Sequence, residues 1–460
     1  MPRRALLSAL FIPLLLTACV DQTAPDPGPV DPGPITPPDA CRVLPASAVG
    51  AFPQSWPQVA ANWNAPHVAG QVLILTDAGT GRISAQALSA QFLSVLAGVQ
   101  MQAVAPGVQL AQTPAAEGDQ AFAGRLTAAG VRTQPNYVYR SLALPNDPAF
   151  PGNAGLKVAT ASVNVFQNYL TRIGAPAAWA VLEAVGKTPV GAKVAVLDSA
   201  PDRSHPELGG RLSASVSCLD PAASGGTVTA ISEHGTEVTG LIGANTGNGV
   251  GLAGVVWSGP LLGIEVLDGN SSGSTVDLAR GLKYAVQQGA AVVNISLGVP
   301  GRQGDAVLDA ALTAAAKTAV VVAAAGNSAN EGVYYPASHP DVIAVGAVGL
   351  KDTELACYSA RPSAQLPRAL DIVAPGGVGV ICAGFKPELD LPVLATGGGY
   401  KLAAGTSFSA PMVSGVVALM RGANPGLSAA QTRALLLGSV NRSGGLPVLD
   451  AAAAVRSALK

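Results

Sequence analysis

The chain has 460 residues, enough for one large core and a second, smaller unit. Only 12% of residues are charged and the formal net charge is -1, so no basic surplus exists to bind nucleic acid. Glycine (54) and proline (36) are frequent and aromatics are 4%, which implies many tight turns and a core built from Ala, Val and Leu.

The N-terminus reads as an export segment. Arg3 and Arg4 precede an apolar run over 5–16, too short for an ordinary membrane span. The run closes in Leu16-Thr17-Ala18-Cys19, which resembles a bacterial lipobox. That resemblance implies a lipoprotein-type signal peptide over 1–19, with Cys19 lipidated, first after cleavage and able to tether the chain to a membrane. A plain secretory signal with an incidental cysteine is the alternative, and either one exports the chain. Residues 20–40 repeat Asp-Pro-Gly-Pro units without apolar period, so they form an extended, semi-rigid linker.

A small α+β unit is expected over 41–145. Residues 71–75 read as a strand, and 84–96 as a helix on the spacing of Leu88, Phe92, Leu93 and Leu96, with Ser84 as a cap. A strand near 108–110, a helix over 122–129 and strand residues at Val131 and 137–139 complete it. Residues 142–160 carry Pro, Gly and Asn without period and read as an exposed connection, the type of segment that proteases cut.

Beyond it, in a second domain over 146–460, short apolar runs alternate with helical ones. Strands are expected at 194–197, 261–267, 291–296, 319–324, 342–348 and 372–373, with helices over 278–288 and 306–317. This order predicts an α/β domain, a parallel sheet with helices on both faces, with ligands at the carboxyl ends of the strands. Asp198, Asn294–Ser296 and Gly326-Asn327 fall at those ends.

The chemistry centres on Gly405-Thr406-Ser407-Phe408-Ser409-Ala410-Pro411 and the apolar run that follows. Pro411 suits the first turn of a helix, which puts Ser407 just before or at the helix N-terminus, where free N–H groups favour a developing negative charge. Taken alone, Ser407 there is more often a cap than a nucleophile. A serine nucleophile needs a base and the base an orienting acid. Of the four histidines, His205 and His339 sit in Ser-His-Pro turns and read as structural, and His67 lies in the small unit. His234 opens His-Gly-Thr-Glu-Val-Thr-Gly, a helix with a small-residue face.

Asp198 in Val-Ala-Val-Leu-Asp-Ser, His234 in its Gly-Thr segment, and Ser407 in Gly-Thr-Ser-Phe-Ser-Ala-Pro together resemble, in order, the three motifs of the subtilisin-like serine proteases. The resemblance covers about residue 168 to the C-terminus. It implies a subtilisin-like fold and a Ser/His/Asp triad. Ser407 attacks the carbonyl, His234 moves the proton, and Asp198 orients the ring. Ala323-Ala324-Ala325-Gly326-Asn327 resembles the family's oxyanion-hole segment, with the Asn327 amide as donor beside the Ser407 N–H. Asn294-Ile295-Ser296-Leu297-Gly298 resembles its substrate strand. Ser296, Leu297 and Gly298 then form one wall of the first specificity pocket and Ala323 to Gly326 the other, with a peptide added as a strand and probing apolar walls.

Two departures are visible: Ala200-Pro201 replaces a usual Gly after the acid, and Glu237 stands where a second histidine is common. Neither removes a reacting atom. The chemistry requires no cofactor. The loop 245–251 with Asn248, together with Glu207, resembles a structural calcium site, although two visible side chains suit a metal-free turn equally well. Four cysteines besides Cys19 (Cys41, Cys218, Cys357, Cys382) allow three pairings, and sequence selects none. The tail of the small unit, 130–139 with Asn146-Asp147-Pro148, resembles a family propeptide. That implies an intramolecular inhibitor cut away between about Tyr139 and Val165 by the enzyme itself. The expected function is thus an exported or surface-tethered serine endopeptidase acting on proteins and peptides. The alternatives are a surface binding protein that keeps the fold without turnover, and a permanent adhesion role for the N-terminal unit.

Overall fold

The computed structural model describes residues 60–63, 67–75, 94–105, 107–137, 144–219, 231–301 and 304–460. The signal segment with Cys19, the linker, Cys41 and most of the expected helix over 84–96 lie outside the described residues.

The small unit is a four-stranded sheet in the order β2-β3-β1-β4, formed by β1 (His67–Leu75), β2 (Met101–Ala105), β3 (Val108–Gln112) and β4 (Arg132–Tyr137). Helix α1 (Asp119–Ala128) begins three residues earlier than expected and buries Phe122, Ala123 and Leu126 against Val72, Ile74 and Ala111. Strand β4 also begins earlier and runs through Pro135, opposite Val72. Because β4 is an edge strand, the missing proline N–H removes no ladder bond on its outer side.

The large unit is a seven-stranded sheet, order β11-β10-β9-β8-β5-β7-β6, and every pairing in it is parallel. Its strands are β5 (Val194–Asp198), β6 (Leu212–Ser217), β7 (Leu261–Glu265), β8 (Val292–Ile295), β9 (Val320–Ala324), β10 (Val342–Val348) and β11 (Ile372–Pro375). Strand side chains alternate between two cores. Val194, Val196, Val320 and Val322 join one; Ala195, Leu197, Val321 and Ala323 join the other. That alternation with both faces buried explains why these strands read as unbroken apolar runs.

One face is covered by α5 (Thr275–Gln287) and α6 (Ala306–Ala316). Helix α5 starts before the expected Leu278 because Ser274 and Asp277 form a capping box. The other face is covered by α2 (Asn168–Arg172), α3 (Ala175–Ala184), α4 (Glu233–Gly243), α7 (Thr406–Ala423), α8 (Ala429–Gly438) and α9 (Ala451–Ala458). A hairpin of β12 (Leu391–Ala395) and β13 (Gly399–Ala403) packs on α4 and leads directly into α7.

Two sequence expectations change here. The segment 142–160 is not an exposed connection: Asp147 and Ala149 are fully buried, and Phe150, Leu156 and Val158 belong to the main core. Its turns hid the apolar residues that anchor it, including Phe150 stacked on Trp179. Pro411 is not in the first turn of its helix, because α7 begins at Thr406 and encloses it.

Candidate active site

Strands β5, β8 and β9 lie side by side, and their carboxyl ends present Asp198, Ser296 and Gly326-Asn327 along one edge of the sheet. Asp198 closes β5 and is fully buried. Its Oδ1 accepts from the Ser199 N–H at 2.8 Å and the Ser199 hydroxyl at 3.2 Å. His234 is the second residue of α4, and its Nδ1 lies 2.8 Å from Asp198 Oδ1. The small residues of α4 make this possible. A Cβ on Gly235 would sit 2.0 Å from the Ser199 carbonyl oxygen, and one on Gly240 would strike Leu394 of β12 at 2.5 Å. The glycine spacing therefore seats the helix against β5 and the hairpin.

Burial disfavours the His234 imidazolium. The charge and hydrogen bond of Asp198 outweigh it, with a smaller push from Glu237 and an opposing one from Lys401, and the ring's pKa is pushed up to about 9. An imidazole held by a buried carboxylate is a base that gives a stabilised cation when it takes a proton.

Ser407 is the second residue of α7 and is half-buried, with the Phe408 ring 5.9 Å from that of His234. Ser407 and Ser296 exchange two hydrogen bonds: Ser407 Oγ donates to Ser296 O at 3.1 Å, and Ser296 Oγ donates to Ser407 O at 2.8 Å. The second bond follows from Pro411. A proline four residues on has no N–H for the Ser407 carbonyl, so Ser296 supplies the donor. Ser296 is in turn held by Asn294, and Asn294 by Ser414 one helical turn beyond Pro411. Sequence reading missed this buried chain of polar groups, although the proline that calls for it was in view.

Asn327 is exposed at the end of β9, and its Oδ1 accepts from the Thr406 N–H and hydroxyl, each at 2.9 Å. The amide nitrogen is thereby left as the outward donor. Gly326 has φ +106°, and a Cβ there would meet the Tyr334 ring at 2.4 Å. Its N–H donates to Thr406 Oγ1 at 3.1 Å. Thr406 thus ties the Asn327 turn to the start of α7. Ala323, Ala324 and Ala325 direct their side chains into the two cores, so only their backbone can face a substrate. Leu297 and Gly298 border a cavity of about 470 Å³ whose other walls include Leu267, Gly273, Leu278 and Leu308.

The model of the peptidase S8 family, the subtilases, matches residues 190–452. The chain belongs to the subtilase family. It is 32% identical over 302 residues to thermitase of Thermoactinomyces vulgaris, covering 65% of this chain and 93% of that protein. It is 36% identical over 294 residues to subtilisin Savinase of Lederbergia lenta, covering 62% and 97%. With the thermophilic serine proteinase of Bacillus sp. strain AK1 it shares 33% identity over 288 residues, 62% of each chain. A solved protease structure from Pseudoalteromonas arctica superposes with a TM-score of 0.55 at 26% identity, over 69% of this chain and all of that one. The fold is subtilisin-like, and the enzyme class is that of a serine endopeptidase.

The subtilase domain brings Glu207 and Asn248 together. Asn248 Nδ2 donates to Glu207 Oε2 at 3.2 Å, while Glu207 Oε1 accepts from the Leu252 N–H and the Tyr400 hydroxyl. Asp147, which sequence reading had not placed there, joins them by accepting from the Gly247 N–H at 2.8 Å. Burial pushes both carboxyls above the usual carboxylate range, and the charge of Asp147 adds to the rise at Glu207. Two buried, mutually repelling carboxylates beside an amide suit a hard cation. The Asn248 amide would have to turn over to offer its oxygen, which now accepts from the Val250 N–H. Among the described residues no group of three or more His, Cys, Asp or Glu side chains is placed to hold a metal. Of the cysteines, Cys357 and Cys382 form a disulfide and Cys218 is a free, partly buried thiol.

Proposed function

We propose that this subtilase is an exported endopeptidase of broad specificity with apolar preference, working through Asp198, His234 and Ser407 and maturing by removal of its own N-terminal unit. The observation that carries the reading is the 2.8 Å pair of His234 with a buried Asp198, beside a serine at the start of α7. In this mechanism Ser407 Oγ leaves the Ser296 carbonyl, gives its proton to His234 and attacks the scissile carbonyl. The oxyanion is met by the Asn327 amide and the Ser407 N–H, and His234 protonates the leaving amine. Water then hydrolyses the acyl-enzyme by the same proton path in reverse.

The apolar preference draws on Leu267, Leu278, Leu297 and Leu308 in the cavity beside Gly298, whose walls also carry Ser271, Ser272, Ser274, Thr275 and Asp305 and do not include Ala323 to Gly326. Self-processing is expected before Asn146, a reading supported by the burial of Asp147, Ala149, Phe150, Leu156 and Val158 in the enzyme core. Export and lipid attachment at Cys19 rest on the N-terminal sequence. A structural calcium, where bound, would be held by Asp147, Glu207 and Asn248 and would neutralise their buried charge. Chelation is then expected to lower Tm.

The test is intact mass of the purified wild-type chain and Ser407→Ala, each incubated with a serine-directed fluorophosphonate and an apolar peptide. The reading stands if the wild type is trimmed before Asn146, takes one label and cleaves the peptide while the variant does none of these. A folded wild type that takes no label sinks it.

A further inference from the structure

Lys401 lies on β13, six residues before Ser407, and reaches across to α4. Its Nζ is 2.6 Å from Glu233 Oε2 and 2.9 Å from Glu237 Oε1. The two carboxylates bracket His234: Glu233 precedes it, and Glu237 follows one helical turn later, on a neighbouring face. Glu237 is 5% exposed, so its charge depends on Lys401. The N-cap residue of α4, Ser232, makes no side-chain capping bond; Ser199 Oγ accepts from the Gly235 N–H at 3.1 Å in its place, and the Ser232 N–H donates to the Ala200 carbonyl at 3.0 Å, so the turn is tied to β5 but not by these bonds to β13.

We propose that Lys401 is a positioning residue: by bridging Glu233 and Glu237 it locks the His234 turn of α4 to the strand that delivers Ser407, and so sets the base against the nucleophile. This rests on the protease reading above. The charged groups facing His234 are Asp198 from β5, Glu237 from α4 itself and Lys401 from β13, with the Phe408 ring from α7. Glu237 favours the imidazolium and Lys401 opposes it. Loss of the Glu237 charge should therefore lower the acid limb of the pH–rate profile, whereas loss of Lys401 removes an opposing charge together with the partner that keeps Glu237 ionised, and the two effects offset.

The experiment measures kcat, KM, their pH profiles and the rate of fluorophosphonate labelling for the wild type, Lys401→Met, Lys401→Arg and Glu237→Gln. Tm is recorded for each. Lys401→Met is expected to lower kcat and labelling about ten- to a hundredfold with KM little changed. The acid limb of Glu237→Gln should fall by about half a pH unit, while that of Lys401→Met moves less. Lys401→Arg should recover most of the rate. If Lys401→Met does not fold, the other two decide: the clamp requires kcat and labelling to fall in Glu237→Gln while Lys401→Arg keeps them. Unchanged kcat and acid limbs in folded variants overturn the clamp while leaving the protease reading intact. A wild type that takes no label removes both.

Discussion

The two larger sheets among the described residues are built to different standards. The small unit closes its core, among the described residues, on six buried side chains: Val72, Ile74, Ala111, Phe122, Ala123 and Leu126. The subtilase unit buries both faces of a seven-stranded parallel sheet, and even its polar residues (Asp198, Asn294, Ser414) are fully inside and hydrogen-bonded. The described part of the small core is thus a single layer, whereas a double-layered core can hold buried charge in fixed positions. The large unit's build suits a domain that must hold reacting groups in place.

The largest effect that tests this division is chemical. Ser407→Ala should lower turnover by about six decades and leave the two units on one chain, checked by peptide hydrolysis and intact mass. Asn327→Ala should keep the fold and lower kcat by about two to three decades, a scale set by relatives in this same family. Phe122→Ala should cost the small unit about 3–5 kcal/mol, enough to melt it. In Ser407→Ala background, calorimetry should then lose the small unit's transition while that of the subtilase unit holds. Reducing the Cys357–Cys382 bridge, which closes 25 residues within the large unit, should cost about 3 kcal/mol and leave the small unit untouched.

The last effect is pH. His234 must be neutral to act as base, so kcat/KM should rise as pH passes its pKa, pushed up to about 9. The folded value lies above the ordinary 6.5, so the Asp198 pair stabilises the fold fully below pH 6.5 and loses that contribution as pH rises through about 9. Activity and this part of the stability therefore run in opposite directions, and thermal melts beside rate profiles from pH 6 to 10 should show it.

Much of the large unit was legible in the sequence. Strands buried on both faces read as apolar runs because neither face meets water, and Asp198, Ser296 and Asn327 stand where those runs stop. The motif glycines were legible as close packing, and Gly235 against Ser199 shows where. The segment 142–160 was misread because local turn residues outweighed the few apolar anchors in any short window. Pro411 was misread because a proline inside a helix is ordinarily excluded, and only a partner from another strand, Ser296, makes it tolerable.

By itself the sequence determined the alternation of strand and helix, the residue types at the strand ends and the order of the three reacting groups, since these depend on local hydrophobic pattern. Only the tertiary structure decided what depends on non-local neighbours. It paired Cys357 with Cys382 rather than with Cys218, brought Asp147 to Glu207, and set Lys401 of a hairpin between two glutamates of the His234 helix. Each of these is a contact between segments far apart in sequence, and no periodicity within one segment can specify the face of another.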